Sequence, residues 1–182
     1  MKQRPILRTA RLTLRPFELN DAPAVKELAG AYEVALNTLM IPHPYPDGKA
    51  EEWIGMHQDD FDNDRVVHFA IDDGQLVGAM GLILKLEQNM AEIGYWIGVP
   101  FWNRGYASEA AAEVVRYGFE ERGLNRIFAA HFARNPNSGR VLRKIGMQCE
   151  GTLRQHERKW DVYQDVVHYG ILRDEWLSSR RS

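Results

Sequence analysis

Ten residues, Phe101 to Ala110 (FWNRGYASEA), combine side chains suited to holding an anion. They follow the run AEIGYWIGV and lead into a helical pattern. Gly105 and Ala107 remove bulk where the backbone turns. The first amides of a helix have no partner within it, and with the positive end of the helix dipole they suit a pyrophosphate. The dipole contributes only ~0.3–1 kcal/mol per exposed charge, so several aimed amides are needed. Arg104 adds charge at the rim and Ser108 a hydroxyl donor. Taken alone, a Gly-x-Ala turn opens many helices that bind nothing. The stretch lacks the Gly-Lys-Ser/Thr of a Walker loop and the Gly-x-Gly-x-x-Gly of a dinucleotide fingerprint.

Other residues offer acid–base chemistry. Glu92 lies early in the strand that feeds this loop and shares a face with Gly94, where backbone and ligand can approach closely. An ordinary carboxylate at a strand end is an equal alternative. His68, His131 and His168 fall on predicted strands and read as hydrogen-bonded packing residues. Trp53, Trp96 and Trp160 read as core or rim. His43 and Tyr45, in IPHPYP, could wall a pocket or mark a surface turn. The acidic run DDFDND (Asp59–Asp64) lacks the glycine and glutamate of a calcium loop, with Arg65 and Ile71 in their places, so no metal is expected. Cys149 is the lone cysteine, which excludes an internal disulfide and reads as a small buried residue. No Gly-x-Ser-x-Gly elbow or Cys/His pair argues for a covalent enzyme intermediate.

The elements that position these groups follow from periodicity. The chain has 182 residues, 26% of them charged, with a formal net charge of -2. This suits one domain and argues against a nucleic-acid partner bound through a general basic surface. No run reaches membrane-spanning length, and the basic N-terminus lacks the apolar segment of a signal peptide, so the cytoplasm is expected. RLTLRPF reads as a strand and ELNDAPAVKELAGAYE as one helix, with Asn20 or Asp21 as N-cap. KAEEWIGMHQDDF reads as a second helix. Residues 65–86 read as a hairpin turning at Asp72-Asp73-Gly74. Ala91, Ile93, Tyr95, Ile97 and Val99 share one strand face, and Glu92, Gly94 and Trp96 the other. Ala107, Ala110, Ala111, Val114, Val115, Gly118 and Phe119 form a helical stripe capped by Gly123. NPNSGRVLRKIGM is a helix between Asn135 and Gly146, and two strands close the chain. The fold class expected is α/β (α+β): a single mixed, mostly antiparallel sheet flanked by helices, with one parallel pair in the unit Gly94 to Phe132.

The whole chain resembles the GNAT superfamily of acetyl-CoA-dependent N-acetyltransferases, and within it the RimJ/RimL-like group that acetylates ribosomal-protein N-termini. Four stretches carry the resemblance: LRTARLTLRPFELNDAPAV, IPHPYP, AEIGYWIGVPFWNRGYASEA, and NPNSGRVLRKIGM with YQDVVHYGILRDEW. Trp102 to Ala107 fill the superfamily pattern Gln/Arg-x-x-Gly-x-Gly/Ala, except that Trp102 replaces the leading Gln/Arg. The resemblance implies one acetyltransferase domain over residues 1–182, its core at about 9–177. It implies that Ile97 and Val99 offer backbone groups to the pantetheine arm of acetyl-CoA. Arg104, Gly105, Tyr106, Ala107 and Ser108 would hold the pyrophosphate, and Asn135 would bond the pantetheine. The wider superfamily often protonates the thiolate with a tyrosine where this chain has Leu142; Ser138 is the implied replacement. Asp165 occupies the family's last-strand aspartate position, as a second candidate base or a structural acceptor. The acceptor implied is a protein or peptide N-terminal amine. A small amine such as a polyamine, amino acid or antibiotic stays open, as does an acyl-CoA sensor without transfer activity. Monomer and homodimer are both open.

Overall fold

Alternating apolar residues gather eight strands into one sheet: β1 (Leu7–Arg8), β2 (Thr13–Arg15), β3 (Val66–Asp72), β4 (Leu76–Lys85), β5 (Met90–Ile97), β6 (Arg126–Phe132), β7 (Gln148–Lys159) and β8 (Val162–Leu172). The computed structural model describes residues 1–180. The spatial order is β1-β2-β3-β4-β5-β6-β8-β7, and among the described residues only β5 and β6 pair in parallel. The mixed, mostly antiparallel sheet expected from the pattern is therefore present. The described helices are α1 (Ala22–Ala29), α2 (Tyr32–Leu36), α3 (Lys49–Asp62), α4 (Tyr106–Glu120), α5 (Pro136–Lys144) and α6 (Arg173–Ser179).

Each face of the sheet has its own core. On one, Val25 of α1 and Ala50 and Ile54 of α3 pack with Phe17, Ala70 and Ala79. On the other, Val114, Val115 and Phe119 of α4 pack with Met80, Leu82, Ile93 and Ile127. The stripe read from sequence is buried from Ala110 to Phe119, as a helix against a sheet requires. At the end of α5, Gly146 (φ 90°) donates to Arg143 O at 3.0 Å and Met147 donates to Leu142 O at 3.1 Å. That pair of bonds is a Schellman stop, which needs the left-handed residue Gly146 supplies.

Three readings need correction. The first helix is interrupted: Leu19–Asp21 is a 3-10 turn, and Ala31, extended at ψ 136°, separates α1 from α2. The break lets a loop cross, since a Cβ on Gly30 would lie 2.8 Å from Tyr45 Cβ. Gly123 has φ 67° but lies two residues beyond Glu121, the C-cap of α4. Cys149 is exposed because β7 is an edge strand with little packed against its outer side.

The sheet opens at β5. Its parallel ladder to β6 joins only Met90, Ala91 and Glu92 to Arg126, Ile127 and Phe128. Beyond Glu92, β5 stays with β4 as far as Ile97, while β6 stays with β8 as far as Phe132. The strands diverge, and the inner edge of β5 is left with backbone groups free to pair with an extended ligand.

Candidate active site

A cleft of about 950 Å³ fills this opening. Glu92, Gly94, Tyr95, Ile97, Gly105, Tyr106, Ala107, Ser108, Asn135 and Ser138, separated in sequence, all line it. β5 divides the cleft by its period of two. Glu92, Gly94 and Trp96 face the α1–α3 side. Tyr95 and Ile97 face the α4–α5 side.

The loop before α4 is shaped as the sequence suggests. Asn103 (φ 62°) and Gly105 (φ 81°) reverse the backbone. The first intrahelical bond runs from Glu109 N to Gly105 O at 3.0 Å, so the amides of Tyr106, Ala107 and Ser108 precede the helical ladder. Three free donors at a helix N-terminus are the arrangement that suits an anion. The Tyr106 hydroxyl donates to Asp73 Oδ2 at 2.7 Å, tying the helix start to the β3–β4 turn. Glu109 accepts from Thr9 Oγ1 at 2.6 Å and Arg11 Nε at 2.7 Å, tying it to the β1–β2 turn. Although burial works against the charged form of Glu109, these bonds hold its carboxyl below the usual range.

Some expected contacts sit elsewhere. Arg104 is exposed and donates to Pro100 O at 2.9 Å, over the Phe101 ring and outside the cleft wall. Val99 is also outside the wall, and its carbonyl accepts from Trp102 N at 3.2 Å. The Ser108 hydroxyl donates to Gly105 O at 3.0 Å, which leaves its amide as the free donor. Trp102, at the leading motif position, donates its indole N–H to Ile97 O at 2.7 Å and braces the end of β5. Asp165 lies on the face of β8 opposite the cleft-lining Val166. Its Oδ1 accepts from Gln155 N at 2.7 Å, at a bulge where Gln155 has φ 52°.

Asn135 takes the N-cap position of α5 without a side-chain capping bond, so its amide is free toward the cleft. Gly139 lets α5 settle against the sheet, because a Cβ there would lie 2.7 Å from His131 Nε2 and 3.1 Å from Tyr169 Oη. This seat holds Ser138 beside β5. There Ser138 Oγ meets Tyr95 Oη at 2.7 Å. Burial pushes the phenol up to about 12, with the Ser138 bond pulling the other way. Sequence reasoning missed Tyr95, reading it only as one residue of a packed strand face.

On the other side, Val66, Ile83 and Glu92 align across three strands, as do His68, Gly81 and Gly94. A Cβ on Gly94 would meet nothing within 4 Å, so the floor is open there. His68 lines this half, with Nε2 3.2 Å from Asp60 Oδ2. Burial lowers its pKa, opposed by Asp60. His57 stacks on it with ring centroids 3.8 Å apart. At the mouth, the β7–β8 turn meets the segment after α1: Lys159 donates to Leu39 O at 3.0 Å and Ile41 O at 2.6 Å, and Trp160 stacks on Tyr32 at 5.6 Å. Burial, then Arg134, lowers the Lys159 pKa. The acidic run Asp59–Asp64 forms ion pairs with Arg65, Lys2 and Arg122.

A cleft with an anion cradle at one end, an open strand edge along it and a carboxylate beyond it suits transfer of an acyl group from a pyrophosphate-bearing thioester to an amine. Among the described residues no cysteine lines the cleft and no histidine hydrogen-bonds Ser138, so the site offers no activated nucleophile. Comparison with known proteins agrees with this class. Residues 11–148 match the acetyltransferase (GNAT) domain family. The "Uncharacterized N-acetyltransferase YnaD" of Bacillus subtilis is 32% identical over 169 residues, covering 92% of this chain and 97% of the relative. The "Putative ribosomal N-acetyltransferase YdaF" of the same organism is 35% identical over 105 residues, 57% of each chain. A GNAT-family acetyltransferase crystal structure from Bacillus anthracis superposes with a TM-score of 0.83 at 27% identity, covering 93% of this chain and 99% of that one. The chain belongs to the GNAT acetyltransferase family. It is an acetyl-CoA-dependent N-acetyltransferase.

Proposed function

We propose that the accepted amine is the α-amino end of a protein or peptide, with acetyl-CoA lying along the opening between β5 and β6 and the reaction running in the cytoplasm. The observation that carries this reading is Glu92. It lines the acceptor half of the cleft beside the open face of Gly94, and among the described residues its carboxylate has no hydrogen bond or ion pair. Such a group attracts a cationic amine and takes its proton, directly or through water. An α-amine, with pKa ~7.7–8.0, is roughly a tenth neutral at pH 7, whereas a lysine amine at ~10.4 is roughly 3.4 kcal/mol harder to deprotonate. A site with one simple carboxylate therefore favours the α-amine. The name of YdaF supports the same acceptor class.

In this reading the amides of Tyr106, Ala107 and Ser108, freed by the turn at Gly105, receive the pyrophosphate. Arg104 adds charge at the rim. The backbone at Ile97 and the Asn135 amide hold the pantetheine arm, and Val99 supports the turn that follows. Ser138 protonates the departing thiolate. Asp165 holds the β7 bulge and takes no part.

The test is acetyl-CoA-dependent release of CoA against short peptides with free N-termini, the same peptides blocked, polyamines, amino acids and aminoglycosides. Turnover of free-ended peptides alone supports the proposal. Turnover of a small amine with peptides inert contradicts it.

A further inference from the structure

Two serines stand at the third position of their helices, Ser108 in α4 and Ser138 in α5. Ser108 spends its proton on the carbonyl of its own N-cap, Gly105, at 3.0 Å. Ser138 instead turns to a residue 43 positions away, the Tyr95 phenol at 2.7 Å. Both members of this pair line the cleft. The helix position that carries a phenol in much of the superfamily holds Leu142 here, and Leu142 is fully buried at 0% exposure. The phenol thus comes from β5 rather than from α5.

We propose that Tyr95 is a positioning residue: it donates its hydrogen bond to Ser138 Oγ and so frees the Ser138 O–H to protonate the departing sulfur of CoA. The proposal rests on the placement of the thioester on the Tyr95 side of β5.

Each hydroxyl has one proton and two acceptor lone pairs. A phenol is much more acidic than an aliphatic alcohol, so between the two it donates. Burial moves the phenol up to about 12, and it remains protonated through the working range. Ser138, accepting from Tyr95, keeps its own proton for another acceptor. In the transfer, the amine nitrogen bonds to the carbonyl carbon and the C–S bond breaks with its electron pair going to sulfur. Sulfur takes the Ser138 proton as the Tyr95 proton moves to Ser138 Oγ. Glu92 takes the proton lost by the amine and passes it to solvent, and the phenolate regains one from solvent. Without the phenol, Ser138 falls back on its N-cap carbonyl, Asn135 O, as Ser108 does on Gly105 O.

The experiment compares wild type, Tyr95→Phe, Ser138→Ala and the double variant, using acetyl-CoA with free-ended peptides or, if peptides are inert, spermidine. Tyr95→Phe is expected to lower kcat about 100-fold, with KM for acetyl-CoA within about twofold, the low end of the ~10²–10⁴-fold that one general acid contributes. Ser138→Ala is expected to fall similarly, and the double variant no further. Independently of any acceptor, titration of the bound CoA thiol by its ultraviolet thiolate absorbance should give a lower pKa on wild type than on either single variant, by about half a unit or more, because a hydrogen bond to sulfur favours the thiolate. Wild-type kcat in Tyr95→Phe, a change in KM alone, multiplicative losses in the double variant, or an unchanged thiol pKa would each overturn the proposal. Inert peptides alongside active spermidine would overturn the N-terminal acceptor and leave the Tyr95 comparison readable.

Discussion

Helices α4 and α5 begin alike and are used differently. Neither start has a side-chain capping bond, since Gly105 has no side chain and that of Asn135 makes none, and each helix places a serine at its third position. The α4 start is Gly105 with φ 81°, which swings the following amides toward the cleft. The α5 start is Asn135 followed by Pro136, which has no N–H to offer. One start therefore presents backbone donors and the other presents side chains. Backbone donors suit a diffuse dianion; side chains suit a directed bond to a sulfur or an amide. In the proposed function the two helix starts would address the two ends of one thioester cosubstrate, with β5 between them and the acceptor on its far face.

The largest effect expected from disturbing this contrast is at Gly105. Gly105→Glu places a carboxylate in the anion cradle and a side chain where φ favours glycine, and acetyl-CoA affinity measured by calorimetry should fall about 100-fold or more. Next is Glu92, on the acceptor face. Glu92→Gln should lower kcat/KM about 100-fold near pH 7 and recover in part as pH rises, because the free amine accumulates without help; a pH–rate series checks this. A uniform loss would remove Glu92 as base. The serine pair sharpens the comparison further. Ser138→Ala should lower kcat about 100-fold, whereas Ser108→Ala should leave kcat in place and cost about 0.5–1.5 kcal/mol in denaturant unfolding, the value of one hydrogen bond. Equal kinetic losses would erase the distinction between the two helix starts.

A further effect, on stability alone, lies outside both helices. His57 on α3 is pushed down to about 2 by burial, then by His68 and Arg4, from its ordinary value of 6.5. Below pH ~6.5 the unfolded chain binds a proton the native state refuses, so stability present at neutral pH is lost on acidification, by at most ~1.4 kcal/mol per pH unit for this ring. His57→Leu should therefore lose about 2 kcal/mol less than wild type between pH 7 and 5, measured by urea unfolding. An unchanged acid slope would contradict the assignment.

The α4 start was legible in sequence because its parts are consecutive: turn glycine, small residues and helical stripe all fall within Phe101 to Phe119. The same locality made the α5 limits readable from Asn135 and Gly146. The Tyr95–Ser138 bond was not legible, since periodicity records only that Tyr95 shares a face with Ile93 and Ile97. Nothing in the sequence of α5 shows that Gly139 seats the helix against His131 and Tyr169. Asp165 is a candidate only through the family resemblance, and strand register turns it to the face away from the cleft. The split of the sheet also escaped detection: a parallel pair was expected from the strand–helix–strand order, yet only backbone geometry shows that it stops at Glu92. The acceptor mouth depends on contacts such as Lys159 with Leu39, more than a hundred residues apart. Such contacts leave little mark on local composition.

The most direct test of the central claim, that both substrates meet across β5 and the acetyl group passes straight between them, is initial-rate kinetics with acetyl-CoA and the amine both varied, together with mass spectrometry of enzyme quenched after acetyl-CoA alone. The account predicts intersecting reciprocal plots and no acetylated protein. Parallel plots, with an acetyl group on Ser138 or Tyr95, would contradict it.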